Sequence, residues 1–281
     1  MEQFELNYTI ELYNRVKMPI IGFGAGDLNE NHVKQTDIIL NAIEAGYRHF
    51  DTAAIYHSER SIAEAIKQSG IERDEFFITS KVWDADMRRG PIAVLNSFEE
   101  SLRRLQTDYI DMYLLHWPVQ GKIVDTWKVL EQLYYTGRVR SLGLSNVKRH
   151  HFVEIMRNCD VKPHVQQDEF SPYCMMNDMR RFCEFHNIKY VAFMPLKRLQ
   201  FEPEDGVLGQ IGKAHGKTMH QVTLRWIIQH GVAAIPKSKS MHRMRQNLDI
   251  FDFELSQEEM GRIDALNFEG PINWDPDLFD F

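Results

Sequence analysis

Four side chains that could move a proton lie just beyond short apolar runs in the first half of the chain. Asp51, Lys81 and His116 each follow such a run directly, and Tyr56 lies in the loop after Asp51. A lone ammonium group behind a buried strand would be costly, so Lys81 needs the carboxylate of Asp51 close to it. An adjacent ammonium group favours the phenolate form, so we expect Lys81 to lower the pKa of Tyr56.

These residues are the parts of a site that protonates a developing alkoxide. Tyr56 would be the acid, and His116 would donate a hydrogen bond that orients the substrate oxygen. A simpler interpretation, in which each polar residue only begins a solvated loop, explains any one of them. It explains the whole series poorly, because later apolar runs also lead to polar residues, namely Ser145, Asn146, Gln167 and Lys237.

The elements that must position these residues are eight apolar runs separated by segments with helical periodicity. Strand and helix in unbroken alternation predict an α/β fold with parallel strands and right-handed crossovers, and eight such units close a (β/α)8 TIM barrel. An open doubly wound sheet is the alternative, but residues 22–26 lack the third glycine of its phosphate loop. The runs cover residues 18–24, 47–50, 76–80, 110–115, 139–144, 164–166, 190–192 and 232–236.

The segment before the first unit alternates apolar and polar residues between Phe4 and Val16. This period-two pattern predicts an N-terminal β-hairpin, turning near residues 13–15, that closes the base of the barrel. No Gly/Ser-rich or Pro-rich linker divides the chain, so we expect residues 1–281 to form a single domain.

Composition excludes several classes of protein. The 281 residues are 43% hydrophobic and 26% charged, as in ordinary globular chains. A net charge of −7 argues against a nucleic-acid binder, and no apolar run is long enough for a membrane span. The acidic first residues do not resemble an export signal, so we expect a cytoplasmic protein. Three cysteines without CxxC spacing predict reduced thiols, and no metal site is expected.

Five motifs stand in order along the chain: GYRHFDTA at 46–53 with Tyr56 and Glu59, LLHWP at 114–118, GLSN at 143–146, QDEFSPY at 167–173, and IPKS at 235–238 followed by Asn247. They resemble those of the aldo-keto reductase superfamily, NADPH-dependent (β/α)8 barrels that reduce aldehydes and ketones. The resemblance runs from about Leu6 to Asn267. The short tail is more similar to microbial members, such as 2,5-diketo-gluconate and glyoxal reductases, than to long-tailed mammalian ones.

The resemblance implies a role for each matching position. The family's catalytic tetrad falls on Asp51, Tyr56, Lys81 and His116. The implied nicotinamide contacts are Ser145, Asn146 and Gln167, with Phe193 stacked on the ring, and Pro195 and Leu196 are also expected to bind the cofactor. Lys237, Ser238 and Arg243 match the positions that hold the 2′-phosphate, and two cations with a hydroxyl suit a phosphate better than a bare ribose. Gln246 and Asn247 are expected at the adenine, and Trp83, Trp117 and Trp274 at the substrate.

Several positions depart from the family's common pattern. Met194 stands where many members have a serine, so it cannot offer a hydroxyl to the pyrophosphate. Gln246 replaces a frequent glutamate, which weakens its assignment to the adenine. Gly26 occupies a position that often carries a bulky aromatic residue. None of these departures touches the four catalytic positions.

The predicted function is NADPH-dependent reduction of aldehydes or ketones to alcohols by a monomer whose partner is a small carbonyl substrate. A second hypothesis is a redox-sensing NADP(H)-binding regulatory protein with little turnover, although four intact catalytic positions count against it. A metal-dependent barrel hydrolase would rest only on the 12 histidines, which are scattered. The sequence does not identify the physiological substrate.

Overall fold

A computed structural model describes residues 8–197, 199, 202–268 and 275–278. Its strands, in chain order, are β1 (Thr9–Glu11), β2 (Lys17–Pro19), β3 (Phe23–Gly24), β4 (His49–Asp51), β5 (Phe77–Val82), β6 (Met112–Leu115), β7 (Leu142–Ser145), β8 (Val165–Glu169), β9 (Lys189–Phe193) and β10 (Ala233–Ala234). The helices are α1 (His32–Ala45), α2 (Glu59–Ser69), α3 (Asp84–Arg89), α4 (Pro91–Leu105), α5 (Ile123–Tyr135), α6 (Arg149–Asn158), α7 (Asn177–Phe185), α8 (Val207–His215), α9 (Met219–Gln229), α10 (Met241–Leu248) and α11 (Gln257–Asp264).

Strands β3 to β10 form one parallel sheet in which each strand pairs with its neighbour in sequence. The first and last strands also meet, because Ile21 and Ala234 form a parallel bridge. Backbone hydrogen bonds from Gly22 to the Ala234 carbonyl and from Ala234 to the Ile20 carbonyl, both 2.8 Å, close the sheet. The predicted (β/α)8 barrel is therefore confirmed, and the open doubly wound sheet is excluded.

The N-terminal hairpin is also present, with Thr9 opposite Pro19 and Glu11 opposite Lys17. Its turn contacts the segments that lead into β7 and β8. The Asn14 amide donates to the Arg140 carbonyl at 3.0 Å, and the Tyr13 ring stacks on His164 with 4.3 Å between ring centroids. Since these contacts lie at the amino ends of the strands, the hairpin covers the base of the barrel.

One strand boundary differs from the expectation. The apolar run 18–24 is divided, because Lys17–Pro19 pairs antiparallel with β1 while the barrel strand is Phe23–Gly24. A continuous apolar run cannot show that the chain changes its pairing partner halfway along it. The other seven runs each supply one barrel strand, with ends shifted by a few residues.

Local signals in the sequence account for several helix ends. The Asn31 side chain accepts from the Lys34 backbone at the start of α1, and Gly46 ends this helix in the left-handed region at φ 116°. Capping boxes begin α9 and α11, in which Thr218 pairs with Gln221 and Ser256 with Glu259. None of the helices in the described part of the chain has the length and apolar character of a membrane span.

Candidate active site

The carboxyl ends of the barrel strands surround a cavity of about 760 Å³. Strand register places the predicted residues there, since Asp51 ends β4, His116 follows β6 and Ser145 ends β7. Lys81, near the end of β5, is fully buried behind the cavity wall. The predicted residues that line the cavity are Asp51, Tyr56, Trp83, His116, Trp117, Ser145, Asn146, Gln167, Phe193, Pro195, Leu196 and Lys237.

A buried ion pair lies behind the cavity. The Lys81 ammonium group donates to Asp51 Oδ1 at 2.5 Å and to the Thr52 carbonyl at 2.9 Å. The other Asp51 oxygen, Oδ2, accepts from the Gln167 amide at 2.7 Å. Burial lowers the pKa of Lys81, while Asp51 opposes that change. The carboxylate that Lys81 needs is thus supplied by Asp51, as the sequence predicts.

Tyr56 and His116 face each other in the cavity wall. The Tyr56 hydroxyl lies 3.1 Å from His116 Nε2, and Trp83 packs edge-on against the imidazole at 5.2 Å between ring centroids. Burial, together with the Lys81 charge, holds the pKa of His116 well below its usual range, so the ring is neutral. Its Nδ1 atom has no hydrogen-bond partner among the described residues. An orphaned donor would be costly there, so the proton belongs on Nε2, toward Tyr56.

The pKa of Tyr56 is raised overall in this structure, opposite to the lowering expected from the Lys81 charge alone. Burial raises the pKa of the phenol, and the negative charges of Asp51 and Asp27 raise it further. The Lys81 ammonium group lies 5.1 Å from the centre of the Tyr56 ring, but its charge is engaged by Asp51 at half that distance. The phenol is therefore fully protonated at neutral pH, which is the state that a proton donor requires.

Gly26 lies against the ring of Tyr56. A Cβ atom at this position would lie 3.0 Å from Tyr56 Cε2 and 3.3 Å from Cζ, which is tighter than most side-chain contacts. A side chain here would therefore require the Tyr56 ring to shift by a few tenths of an ångström. Glycine thus allows the backbone to pack directly on the tyrosine ring.

The residues predicted for the far end of the cofactor lie partly in the loop after β10 and partly on helix α10. Lys237 lines the cavity, and its ammonium group donates to the Asp27 carbonyl at 3.2 Å. Ser238 is buried, with its hydroxyl 3.3 Å from the Ser240 carbonyl. On α10, which begins just beyond this loop, Arg243 is exposed and Gln246 is half-buried. Ser238, Arg243 and Gln246 do not line the cavity, whereas Lys197 does, and Arg243 could extend the positive charge of Lys197 and Lys237.

Two predicted residues remain, Asn247 at the adenine and Trp274 at the substrate. Asn247 is buried on α10 and does not line the cavity. Trp274 lies outside the described residues. Asp27 and Ile55 also line the cavity and were not expected there from the sequence. Ile55 could have been found, because it immediately precedes Tyr56 in the loop after β4.

The structure also assembles a surface cluster that the sequence did not predict, formed by His150, His151 and Asp277. The two imidazole Nε2 atoms lie 3.0 and 3.3 Å from Asp277 Oδ1. His151 Nδ1 accepts from the Lys148 backbone N–H, so the ring proton is on Nε2 and points at the carboxylate. Lys148 also pairs with Asp277 at 2.7 Å. These contacts describe hydrogen bonds and an ion pair rather than ligands arranged around a cation.

Asp84, next to Trp83 in the sequence, carries an unsatisfied buried carboxyl group. It is 2% exposed, and its Oδ1 has no hydrogen-bond partner among the described residues. Burial raises its pKa to about 7, with Arg88 opposing the change. Because the unfolded chain ionises Asp84 near pH 4, its contribution to stability is complete below that pH and is lost as pH rises through about 7.

We therefore expect Asp84→Asn to stabilise the protein in a pH-dependent way. The amide cannot ionise, so the gain should be near zero at about pH 4 and reach about 4 kcal/mol at about pH 8. Denaturant midpoints across this pH range measure it. The matched control is Asp37→Asn, at an exposed position on α1. An equal gain at both pH values, or the same gain in the control, would rule out the buried charge as the cause.

Comparison with known proteins agrees with this fold. The model of the Aldo/keto reductase family matches residues 20–267. Glyoxal reductase of Bacillus subtilis (strain 168) is 46% identical over 272 residues, which cover 97% of each chain. The crystal structure of MGS-M4, an aldo-keto reductase enzyme from a deep-sea metagenome library, is 36% identical with a TM-score of 0.93, covering 97% of this chain and 100% of that one.

A third comparison concerns the cofactor. A variant of Gox0644 that was solved in complex with NADPH is 33% identical with a TM-score of 0.92. It covers 99% of this chain and 100% of that one. The barrel, the residues around its mouth and these likenesses lead to one conclusion: the chain belongs to the aldo/keto reductase family and is an NADP-dependent oxidoreductase.

Proposed function

We propose that this protein reduces small aldehydes and ketones to alcohols, with Tyr56 as the general acid. The observation that carries the proposal is the Tyr56 hydroxyl 3.1 Å from His116 Nε2 in the cavity wall, in front of the buried Lys81–Asp51 pair. The name of the Bacillus relative, glyoxal reductase, favours short carbonyl compounds as substrates.

The residues of the cavity fit a nicotinamide dinucleotide phosphate. Amide and hydroxyl groups from Ser145, Asn146 and Gln167 suit the carboxamide, and the exposed aromatic face of half-buried Phe193 suits the ring. Lys237, with Arg243 beyond it, offers the positive charge that a 2′-phosphate requires. Bound NADPH supplies the hydride.

Each catalytic side chain then has one task. Tyr56 donates its proton to the carbonyl oxygen as negative charge develops there. His116, neutral and protonated on Nε2, donates a hydrogen bond that orients that oxygen. The Lys81–Asp51 pair gives the region behind Tyr56 a fixed dipole. Its positive end, the ammonium group, lies 5.1 Å from the ring centre and stabilises the phenolate that remains after proton transfer.

The proposal is tested by mixing the protein with glyoxal, propanal or acetone and following the absorbance of the reduced nicotinamide. We expect consumption of NADPH with at least one substrate, and a kcat/KM about 10–100-fold higher with NADPH than with NADH, because charged hydrogen bonds to the phosphate are lost with NADH. Tight binding of NADPH without consumption by any carbonyl would contradict the proposal. That result would favour the redox-sensing alternative.

A further inference from the structure

A second groove, of about 460 Å³, adjoins the mouth of the catalytic cavity. It lies between the 3₁₀ turn Ala54–Tyr56, helix α3 and helix α4. Ile55 and Trp83 line both the groove and the catalytic cavity. A molecule whose carbonyl group lies at Tyr56 can therefore extend over these two side chains into the groove.

The groove is lined by both apolar and hydrogen-bonding side chains. Trp83, Ala54 and Ala93 are among the apolar ones, and Asn96 and Glu100 are among those that can form hydrogen bonds. An aromatic ring with small neighbours suits the C–H face of a ring. An alkyl chain would cut the amide and carboxylate groups off from water without replacing their hydrogen bonds.

The charged side chains that line the groove form ion pairs with one another or with neighbouring residues. Arg104 donates to Glu59 at 2.6 Å and lies 3.2 Å from Glu100. Asp86 pairs with Arg89 and accepts from the Ser97 hydroxyl at 2.7 Å. Since each charge already has a partner, the groove offers little net attraction to an anion or a cation. A neutral group with one apolar face and several hydroxyl groups is the best complement.

We propose that this groove binds a neutral, polyhydroxylated group, such as a sugar ring, that is attached to the carbonyl compound reduced at Tyr56. The inference rests on the proposed carbonyl reduction and specifies its substrate class. It assigns to Trp83 a second task, because the side chain that packs against His116 also lines the groove proposed for the sugar.

The test compares three substituted benzaldehydes that differ only in the group at the para oxygen: methyl, cyclohexylmethyl and β-D-glucosyl. We expect kcat/KM for the glucoside to exceed that for the methyl ether about tenfold, with no such gain for the cyclohexylmethyl ether. In Ala93→Leu, which fills the groove from α4, the glucoside should lose this advantage while the methyl ether stays within about twofold of the wild type. Ala265→Leu, at an exposed alanine outside the groove, is the matched control.

Other results would overturn the inference. An equal gain for the cyclohexylmethyl ether would show an apolar subsite, and an equal loss for all three aldehydes in Ala93→Leu would show a distorted active site. An unchanged glucoside advantage in Ala93→Leu would place the sugar elsewhere. Failure of the wild type to reduce even the methyl ether with NADPH would overturn the proposed function itself, and is thereby distinguished from failure of the subsite alone.

Discussion

Replacing Tyr56 by phenylalanine is expected to reduce kcat for carbonyl reduction by about 10²–10⁴-fold, the usual contribution of a positioned general acid. Phenylalanine keeps the ring that packs on Gly26 and meets the His116 ring edge-on at 5.4 Å between centroids. It removes only the hydroxyl group, which lies 3.1 Å from His116 Nε2. The fold and the rest of the cavity should therefore be unchanged.

Single-turnover oxidation of NADPH in the presence of glyoxal isolates the chemical step, and quenching of protein fluorescence gives the Kd for NADPH. The Kd should stay within about threefold of the wild-type value, because the lost hydroxyl serves proton transfer rather than cofactor binding. Tyr135→Phe, at an exposed position on α5, removes the same group at a distance and should leave both quantities unchanged. Turnover near the wild-type rate in Tyr56→Phe would remove Tyr56 from its assigned role.

The pH dependence of this step follows from burial. Because burial and the charges of Asp51 and Asp27 raise the pKa of Tyr56, the donor form is fully populated across the neutral range. The sequence identifies Tyr56, Lys81 and Asp51 as groups that lie close together. The expected pKa of Tyr56 was too low, because the expectation included the Lys81 charge and not the loss of water around the phenol. The desolvation of a side chain depends on everything packed around it, and residue spacing does not report that.

The sequence was most informative where local patterns fix a position along a strand. Asp51, His116 and Ser145 were found at the cavity because the apolar runs before them end at the same edge of a parallel sheet. It was least informative where position depends on the orientation of a helix. Gln246 and Asn247 match family positions, but on α10 Gln246 is half-buried, Asn247 is buried, and neither lines the cavity. Which side of a helix meets the cofactor is decided by tertiary packing.

Among the variants described here, Lys81→Met, which removes the charge of Lys81, is expected to lose the most stability against unfolding. In Lys81→Met, Asp51 would remain buried with only the Gln167 amide as a described side-chain partner, because the 2.5 Å ion pair is gone. Breaking a buried pair by removing one partner costs about 3–5 kcal/mol, most of which is the penalty of the remaining charge. Urea denaturation midpoints at about pH 7 measure the loss, and carbonyl reduction should fall with it.

A double-mutant cycle separates this penalty from the loss of packing. Asp51→Asn in the Lys81→Met background leaves no charge, and the asparagine can still accept from Gln167 through its side-chain oxygen. We expect the double variant to recover more than about half of the stability that Lys81→Met loses, without recovering activity. If the double variant is as unstable as Lys81→Met, the ammonium group contributes packing rather than charge, and the dipole assigned to the Lys81–Asp51 pair behind Tyr56 cannot be what stabilises the phenolate.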